Sequence, residues 1–247
     1  MRTFFKAIVI ITIVLFIMAN IGQAETLKVG CDSNFKPFEF KGKNGNYIGF
    51  DIDVLNVIAK DLGLKYELIP MKFTQLIPAL QNKTIDMAIA GISITSEREK
   101  IIDFSLPYFD SGLLVMVKMN DKKIKGIADL DDKVVATKKG TTSADFILNL
   151  QTKEVKLFPD IDDAYAALKS GAADAVIFDS PVILHHIITA DQNDFKSVGR
   201  LYRKQSYGLA FPQGSDLREK VSIAILKLKE SLSYSIIYSK WFGPFPE

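Results

Sequence analysis

Ala90-Gly91-Ile92-Ser93-Ile94-Thr95-Ser96-Glu97-Arg98-Glu99-Lys100-Ile101-Ile102-Asp103-Phe104-Ser105 is the stretch on which the reading of this chain turns. The apolar run that leads into it, Met87-Ala88-Ile89-Ala90, reads as a buried strand. Gly91 lets the backbone come close to whatever lies above the strand end. Ser96 and Glu99 form the S-x-x-E pattern of a capping box, so a helix is expected to start at Ser96. Arg98 then falls in the first turn, where free backbone N–H groups and the positive dipole end favour an anion. Its guanidinium adds two parallel donors that match a carboxylate. Taken alone, Arg98 could be a solvated helix arginine and Gly91 a turn; together they read as a site for a small carboxylate or phosphate.

Outward from this stretch, the chain repeats one pattern. Upstream, Leu27–Gly30 reads as a strand and Cys31–Phe38 as the loop leaving its end. A hairpin is expected around Lys41–Asn46, and Asp51 opens an amphipathic helix closed by Gly63. A strand at Tyr66–Ile69, a helix capped by Thr74 and running to about Asn82, and a strand at Ile85–Ala90 follow. This alternation is that of an α/β fold with a mostly parallel sheet. Downstream, the strong strand Leu113–Val117 begins a second series. Its strands are Val134–Thr137, Val155–Phe158, Ala175–Phe178 and Phe195–Val198, with helices from Thr142, at Ile161–Lys169 and after Pro181. A last strand starts at Tyr207, and a long amphipathic helix spans about Leu217–Ser231. Each series is small enough to make its own lobe.

The basic start Met1-Arg2-Thr3-Phe4-Phe5-Lys6, the short apolar run Ala7–Met18 and the small residues Gly22 and Ala24 describe a secretory signal over residues 1–24, cleaved after Ala24. The apolar run is short for a spanning helix. The whole chain has 31 basic and 29 acidic residues. Cleavage removes Arg2 and Lys6 and no acid, leaving 29 of each. Nothing in that balance suggests nucleic acid or an anionic membrane as a partner. The single Cys31 permits no intramolecular disulfide. His185 and His186 are adjacent on a helix and face different ways, so metal ligation is not expected. Lys122-Lys123 and Lys138-Lys139 are too few for a polyanion site, and no nucleophile elbow or Walker-type loop is present.

Taken as a whole, A-G-I-S-I-T-x-E-R-x-K-x-I-D-F-S resembles the matching segment of the bacterial periplasmic amino-acid-binding proteins, family 3 of the solute-binding proteins. Further motifs extend the resemblance over essentially the whole mature chain and towards the glutamine-binding members. They are D-x-x-F-x-P-F-E-F at Asp32–Phe40, G-F-D-x-D at Gly49–Asp53, I-P-A-L-Q at Ile77–Gln81, S-G-L-L-V-M-V-K at Ser111–Lys118, A-D-A-V at Ala173–Val176 and K-W-F-G at Lys240–Gly243. The resemblance implies a two-lobed, type II periplasmic-binding-protein clamshell of class α/β, with two hinge strands near Tyr108–Gly112 and Arg203–Tyr207. Residues 25–110 and 206–247 would form one lobe and 111–205 the other, with the ligand in the cleft between them.

Carried over by the same resemblance, Gly91, Ser93 and Arg98 would hold an amino acid's α-carboxylate, and Asp179 its α-ammonium. Thr141 or Thr142 would add hydrogen bonds, Phe35 and Phe73 would press on the aliphatic part, and Asp32 and Lys138 would meet the polar tip. Asp179 alone could equally be a helix N-cap, and the two phenylalanines could be core. The expected function is an extracytoplasmic, monomeric binding protein that closes on one L-amino acid and presents it to an ABC-type membrane permease, without a cofactor, a metal or covalent chemistry. Glutamine is the expected ligand, because a carboxamide satisfies both Asp32 and Lys138. Two departures, Thr142 for glycine and Phe178 for histidine, keep arginine and the basic amino acids as the alternative. A cyclohexadienyl-dehydratase-like enzyme on the same fold would need a cleft acid for proton transfer, and neither Glu39 nor Glu97 is placed to suggest one. The sensor half of a receptor is a third reading, without an attached signalling domain in this sequence.

Overall fold

The structure is a computed structural model that describes residues 26–189 and 194–245. The expected export signal and its cleavage point lie outside the described residues. Two five-stranded sheets organise the chain. The first is built from β1 (Leu27–Asp32), β5 (Tyr66–Met71), β6 (Met87–Ala88), β7 (Asp103–Phe104) and β13 (Ala210–Phe211), in the order β5-β1-β6-β13-β7. β1 runs parallel to β5 and β6, whereas β13 is antiparallel to both β6 and β7. A small antiparallel sheet of β2 (Asn34–Phe35), β3 (Glu39–Lys41) and β4 (Tyr47–Ile48) supplies the expected hairpin. α1 (Phe50–Leu62) begins one residue before the expected Asp51 and ends, as expected, at Gly63 in the left-handed conformation.

The second sheet has the order β10-β9-β11-β8-β12, from β8 (Phe109–Lys118), β9 (Val134–Lys138), β10 (Glu154–Phe158), β11 (Ala175–Asp179) and β12 (Phe195–Tyr207). β9 is parallel to β10 and β11, and β8 is antiparallel to β11 and β12. The molecule is therefore a two-lobed α/β clamshell of the type II binding-protein kind. β8 and β12 pair from Phe195↔Lys118 to Tyr207↔Phe109, and so form the two strands that carry the chain between lobes. β12 is far longer than the expected Phe195–Val198, because its alternating polar residues pair on β8 although they bury little.

Two helix caps differ from expectation. α2 (Phe73–Gln81) is capped by Lys72 rather than Thr74, with the Lys72 N–H donating to Gln75 Oε1 at 3.1 Å. α3 (Ser96–Glu99) does start at Ser96, but its cap is Thr95, whose hydroxyl accepts the Arg98 N–H at 3.2 Å. The Ser96 hydroxyl turns outwards to Glu97. Thr95 wins because its extended backbone is the geometry a cap requires.

α4 (Thr142–Ile147), α5 (Ile161–Ser170) and α6 (Ser180–Thr189) follow the strands of the second sheet. α7 (Leu217–Glu230) and α8 (Leu232–Phe242) bring the C-terminus back to the first lobe and pack on α1. Lys240 Nζ and Trp241 Nε1 both donate to Asp53 Oδ2 on α1 at 2.7 Å. Where the crossing strands pass, Phe38, Phe50, Phe109, Tyr207, Tyr238 and Phe242 stack into one aromatic cluster.

Candidate ligand-binding cleft

β1, β9 and β11 end facing the gap between the lobes, and each delivers a charged residue at its last position: Asp32, Lys138 and Asp179. In α/β sheets the crevice outside the carboxyl ends of the strands is where ligands bind. One cavity is lined by Asp32, Phe35, Phe73, Gly91, Ser93, Arg98, Lys138, Thr141, Thr142 and Asp179. All ten residues expected at the site thus meet around one space, and Phe178 joins them.

Each charge is held by specific partners. Arg98 is 9% exposed; its Nη1 donates to the Ser93 carbonyl at 2.9 Å and its Nη2 to the Gly140 carbonyl of the other lobe at 3.2 Å. Its guanidinium lies 5.6 Å from the centre of the Phe73 ring. Burial opposes the Arg98 charge, while Asp145 and Asp179 support it. Asp179 accepts from Gln205 Nε2 at 3.0 Å and from the Tyr207 hydroxyl at 2.7 Å. Burial nevertheless raises its carboxyl to about 6, against the pull of Tyr207, Arg98, Gln205 and Lys138.

Lys138 and Asp32 form a buried ion pair that joins the lobes. Lys138 Nζ also lies 5.8 Å from the Phe35 ring centre and 5.9 Å from that of Phe73. Burial raises the Asp32 carboxyl, opposed chiefly by Lys138. Thr141 caps α4, its hydroxyl donating to the Lys138 carbonyl at 2.7 Å and accepting the Ala144 N–H at 3.4 Å. The Thr142 hydroxyl donates to Gln205 Oε1 at 2.7 Å. Farther out, Asn34 Nδ2 bridges the lobes to Asp162 at 2.8 Å.

The structure refines one expectation. Gly91 sits at φ +52°, and a Cβ there would lie 2.3 Å from the Phe35 ring, so only glycine fits. Its N–H, however, is already given to Asp51 Oδ2 at 3.0 Å and the Tyr108 hydroxyl at 3.2 Å. Of the Gly91 backbone groups, only the carbonyl remains for a ligand.

Sequence reading missed the supports: Glu39 behind Asp32, Asp51 and Tyr108 behind Gly91, and Ser111, Gln205 and Tyr207 behind Asp179. G-F-D-x-D and P-F-E-F contained two of them, but a buried acid carries no periodic signal. His185 and His186 are half-buried, and His186 stacks on Tyr165 at 3.7 Å. Among the described residues no group of three or more His, Cys, Asp or Glu could hold a metal ion.

Residues 27–244 match the family model of the bacterial extracellular solute-binding proteins, family 3. The L-cystine-binding protein TcyJ of Escherichia coli (strain K12) is 32% identical over 231 residues, covering 92% of this chain and 86% of that protein. The ABC transporter glutamine-binding protein GlnH of Bacillus subtilis (strain 168) is 32% identical over 237 residues, covering 93% of this chain and 85% of that protein. Among solved structures, an ancestral arginine-binding protein bound to arginine is 42% identical with a TM-score of 0.84, over 88% of this chain and 98% of that one.

Proposed function

This chain belongs to family 3 of the bacterial extracellular solute-binding proteins, amino-acid-binding components of ABC transport, and from that premise we propose that its cleft closes on L-glutamine. The observation that carries the reading is the placement of two opposite charges, Arg98 from the first lobe and Asp179 from the second, on one buried cavity. A free amino acid presents a carboxylate and an ammonium close together, and burying either alone is costly. Arg98 and Ser93 take the carboxylate. Asp179 takes the ammonium, joined by the Gly91 carbonyl, whose N–H is committed elsewhere. Thr141 and Thr142 add hydroxyls from the second lobe, and Phe35 and Phe73 flank the aliphatic stem.

Asp32 and Lys138 are an acceptor-only and a donor-only group. A carboxamide placed between them donates to the first and accepts from the second, replacing their ion pair without adding charge. Arginine would bring a second cation to Lys138, and glutamate a second anion to Asp32. The zwitterionic far end of cystine matches the Asp32–Lys138 pair charge for charge, which makes cystine the ligand to compete against glutamine.

Lobe boundaries follow the strands: 25–110 with 206–247, and 111–205 between. The protein acts as an exported monomer, its signal removed after Ala24, and hands its ligand to a membrane permease that reads the closed pair of lobes. No reaction is catalysed in this account. Competition calorimetry with glutamine, arginine, histidine, glutamate and cystine tests it. Glutamine should bind tightest; arginine or cystine binding ten times tighter rejects the choice.

A further inference from the structure

Behind the floor of the cleft lies a pair of acids that do not line the cavity. Glu39 on β3 and Asp51 on α1 are both 0% exposed. Glu39 Oε1 accepts the Asp32 N–H at 3.3 Å. Asp51 Oδ2 accepts two donors, the Gly91 N–H at 3.0 Å and the Tyr108 hydroxyl at 2.8 Å. The remaining oxygens, Glu39 Oε2 and Asp51 Oδ1, are buried and without any donor. The Asp51 N–H donates to the Phe38 carbonyl at 2.9 Å, which sets Asp51 beside Glu39, and the two carboxyls act on one another. Two carboxylates cannot satisfy one another, because each can only accept; one proton between them satisfies both.

We propose that Glu39 and Asp51 share one proton, held on Glu39 Oε2 and donated to Asp51 Oδ1, and that this pair positions the Asp32 and Gly91 backbone at the cleft floor. Asp51 is the ionised member because it receives two further donors and Glu39 only one long one. Burial pushes both carboxyls up, Glu39 well above the usual carboxylate range and Asp51 to about 7. Facing Glu39 are Asp51, Asp32 and Cys31, which disfavour its charge, Lys138, which favours it, and the Tyr47 phenol. Facing Asp51 are Glu39, Tyr108, Tyr207, Tyr234 and Cys31. Lys138, the cation acting on Glu39, is already paired with Asp32, so the proton takes the place of a dedicated counter-ion.

The proton itself is independent of the ligand; only its role in binding rests on the reading of the cleft as an amino-acid site. Infrared spectroscopy of the purified protein at pH 8 reads the proton directly, since Asp179 is ionised there. The wild type should show the carbonyl stretch of one protonated carboxyl. Glu39→Gln removes that band, because the amide donates in its place. Asp51→Asn removes it too: its oxygen must serve Gly91 and Tyr108, its NH₂ then points at Glu39, and Glu39 ionises. A wild type without the band, or a band that survives both substitutions, overturns the shared proton.

Unfolding against pH gives a second readout. A carboxyl whose folded pKa is raised binds more protons folded than unfolded, so wild-type stability falls as pH rises above the ordinary carboxylate range. Glu39→Gln lacks this loss, so its unfolding constant should improve on wild type by up to about tenfold per pH unit between pH 5 and 8. A pH-independent difference contradicts the proposal. For the positioning role, Glu39→Ala should weaken L-glutamine binding at least about tenfold, and Glu39→Gln should restore most of it. Equal affinities for the two variants overturn that role.

Discussion

Asp179 sets how the site responds to acid. Its carboxyl is raised to about 6 by burial, and it must be ionised to take an ammonium. A raised acid is protonated in the folded, ligand-free protein below that value, while the unfolded chain releases the proton near pH 4. Ligand-free stability from this group therefore falls between about pH 4 and 6. Ligand affinity runs the other way: it should be constant above about pH 6 and fall by up to about tenfold per unit below it. Calorimetry of glutamine binding from pH 5 to 8 checks this, and a flat profile removes Asp179 from the ammonium site. At this scale the charged residues on the cavity were legible, because Arg98 and Asp179 each follow an expected strand end and the family resemblance supplied Asp32 and Lys138. Gln205 was not. It stands in the polar run Arg203-Lys204-Gln205-Ser206, where nothing local separates the residue that braces Asp179 from its solvated neighbours.

Elements were easiest to read where a glycine or an apolar period marks them. G-F-D-x-D joins several devices: Gly49 caps α1, Phe50 enters the aromatic cluster, Asp51 holds Gly91, and Asp53 receives Lys240 and Trp241. Gly49 lies at φ +141°, and a Cβ there would stand 1.9 Å from the Phe38 carbonyl oxygen. Gly63, at the other end of α1, lies at φ +63° with nothing within 4 Å of a Cβ. Gly49→Ala should thus cost about 3 kcal/mol or more, through backbone collision. Gly63→Ala should cost only about 1–2 kcal/mol, through conformation alone. Urea unfolding of the two variants checks the order, and equal losses contradict the account of the α1 start. α8 and the length of β12 were not legible. α8 has apolar residues on several sides, and β12 is mostly polar because it runs along an edge and between lobes.

The whole molecule is two lobes joined by β8 and β12, with the residues that line the cavity divided between them. Asp32, Phe35, Phe73, Gly91, Ser93 and Arg98 come from the first, and Lys138, Thr141, Thr142 and Asp179 from the second. The links across the gap include Arg98 to Gly140, Lys138 to Asp32, Asn34 to Asp160 and Asp162, and the Phe178 ring set edge-on to Phe35. A ligand that pairs with both lobes adds to these links, so it should shift the population from open to closed. The measurement that meets this claim most directly is small-angle scattering of ligand-stripped protein titrated with L-glutamine. The radius of gyration should fall to a plateau at one ligand per chain. Arg98→Ala should show no fall at the same concentrations, since losing one partner of a buried charge pair costs roughly 2–5 kcal/mol, or about 30-fold to several thousandfold in affinity. A scattering curve that stays unchanged while calorimetry reports saturation would contradict closure of the cleft on its ligand.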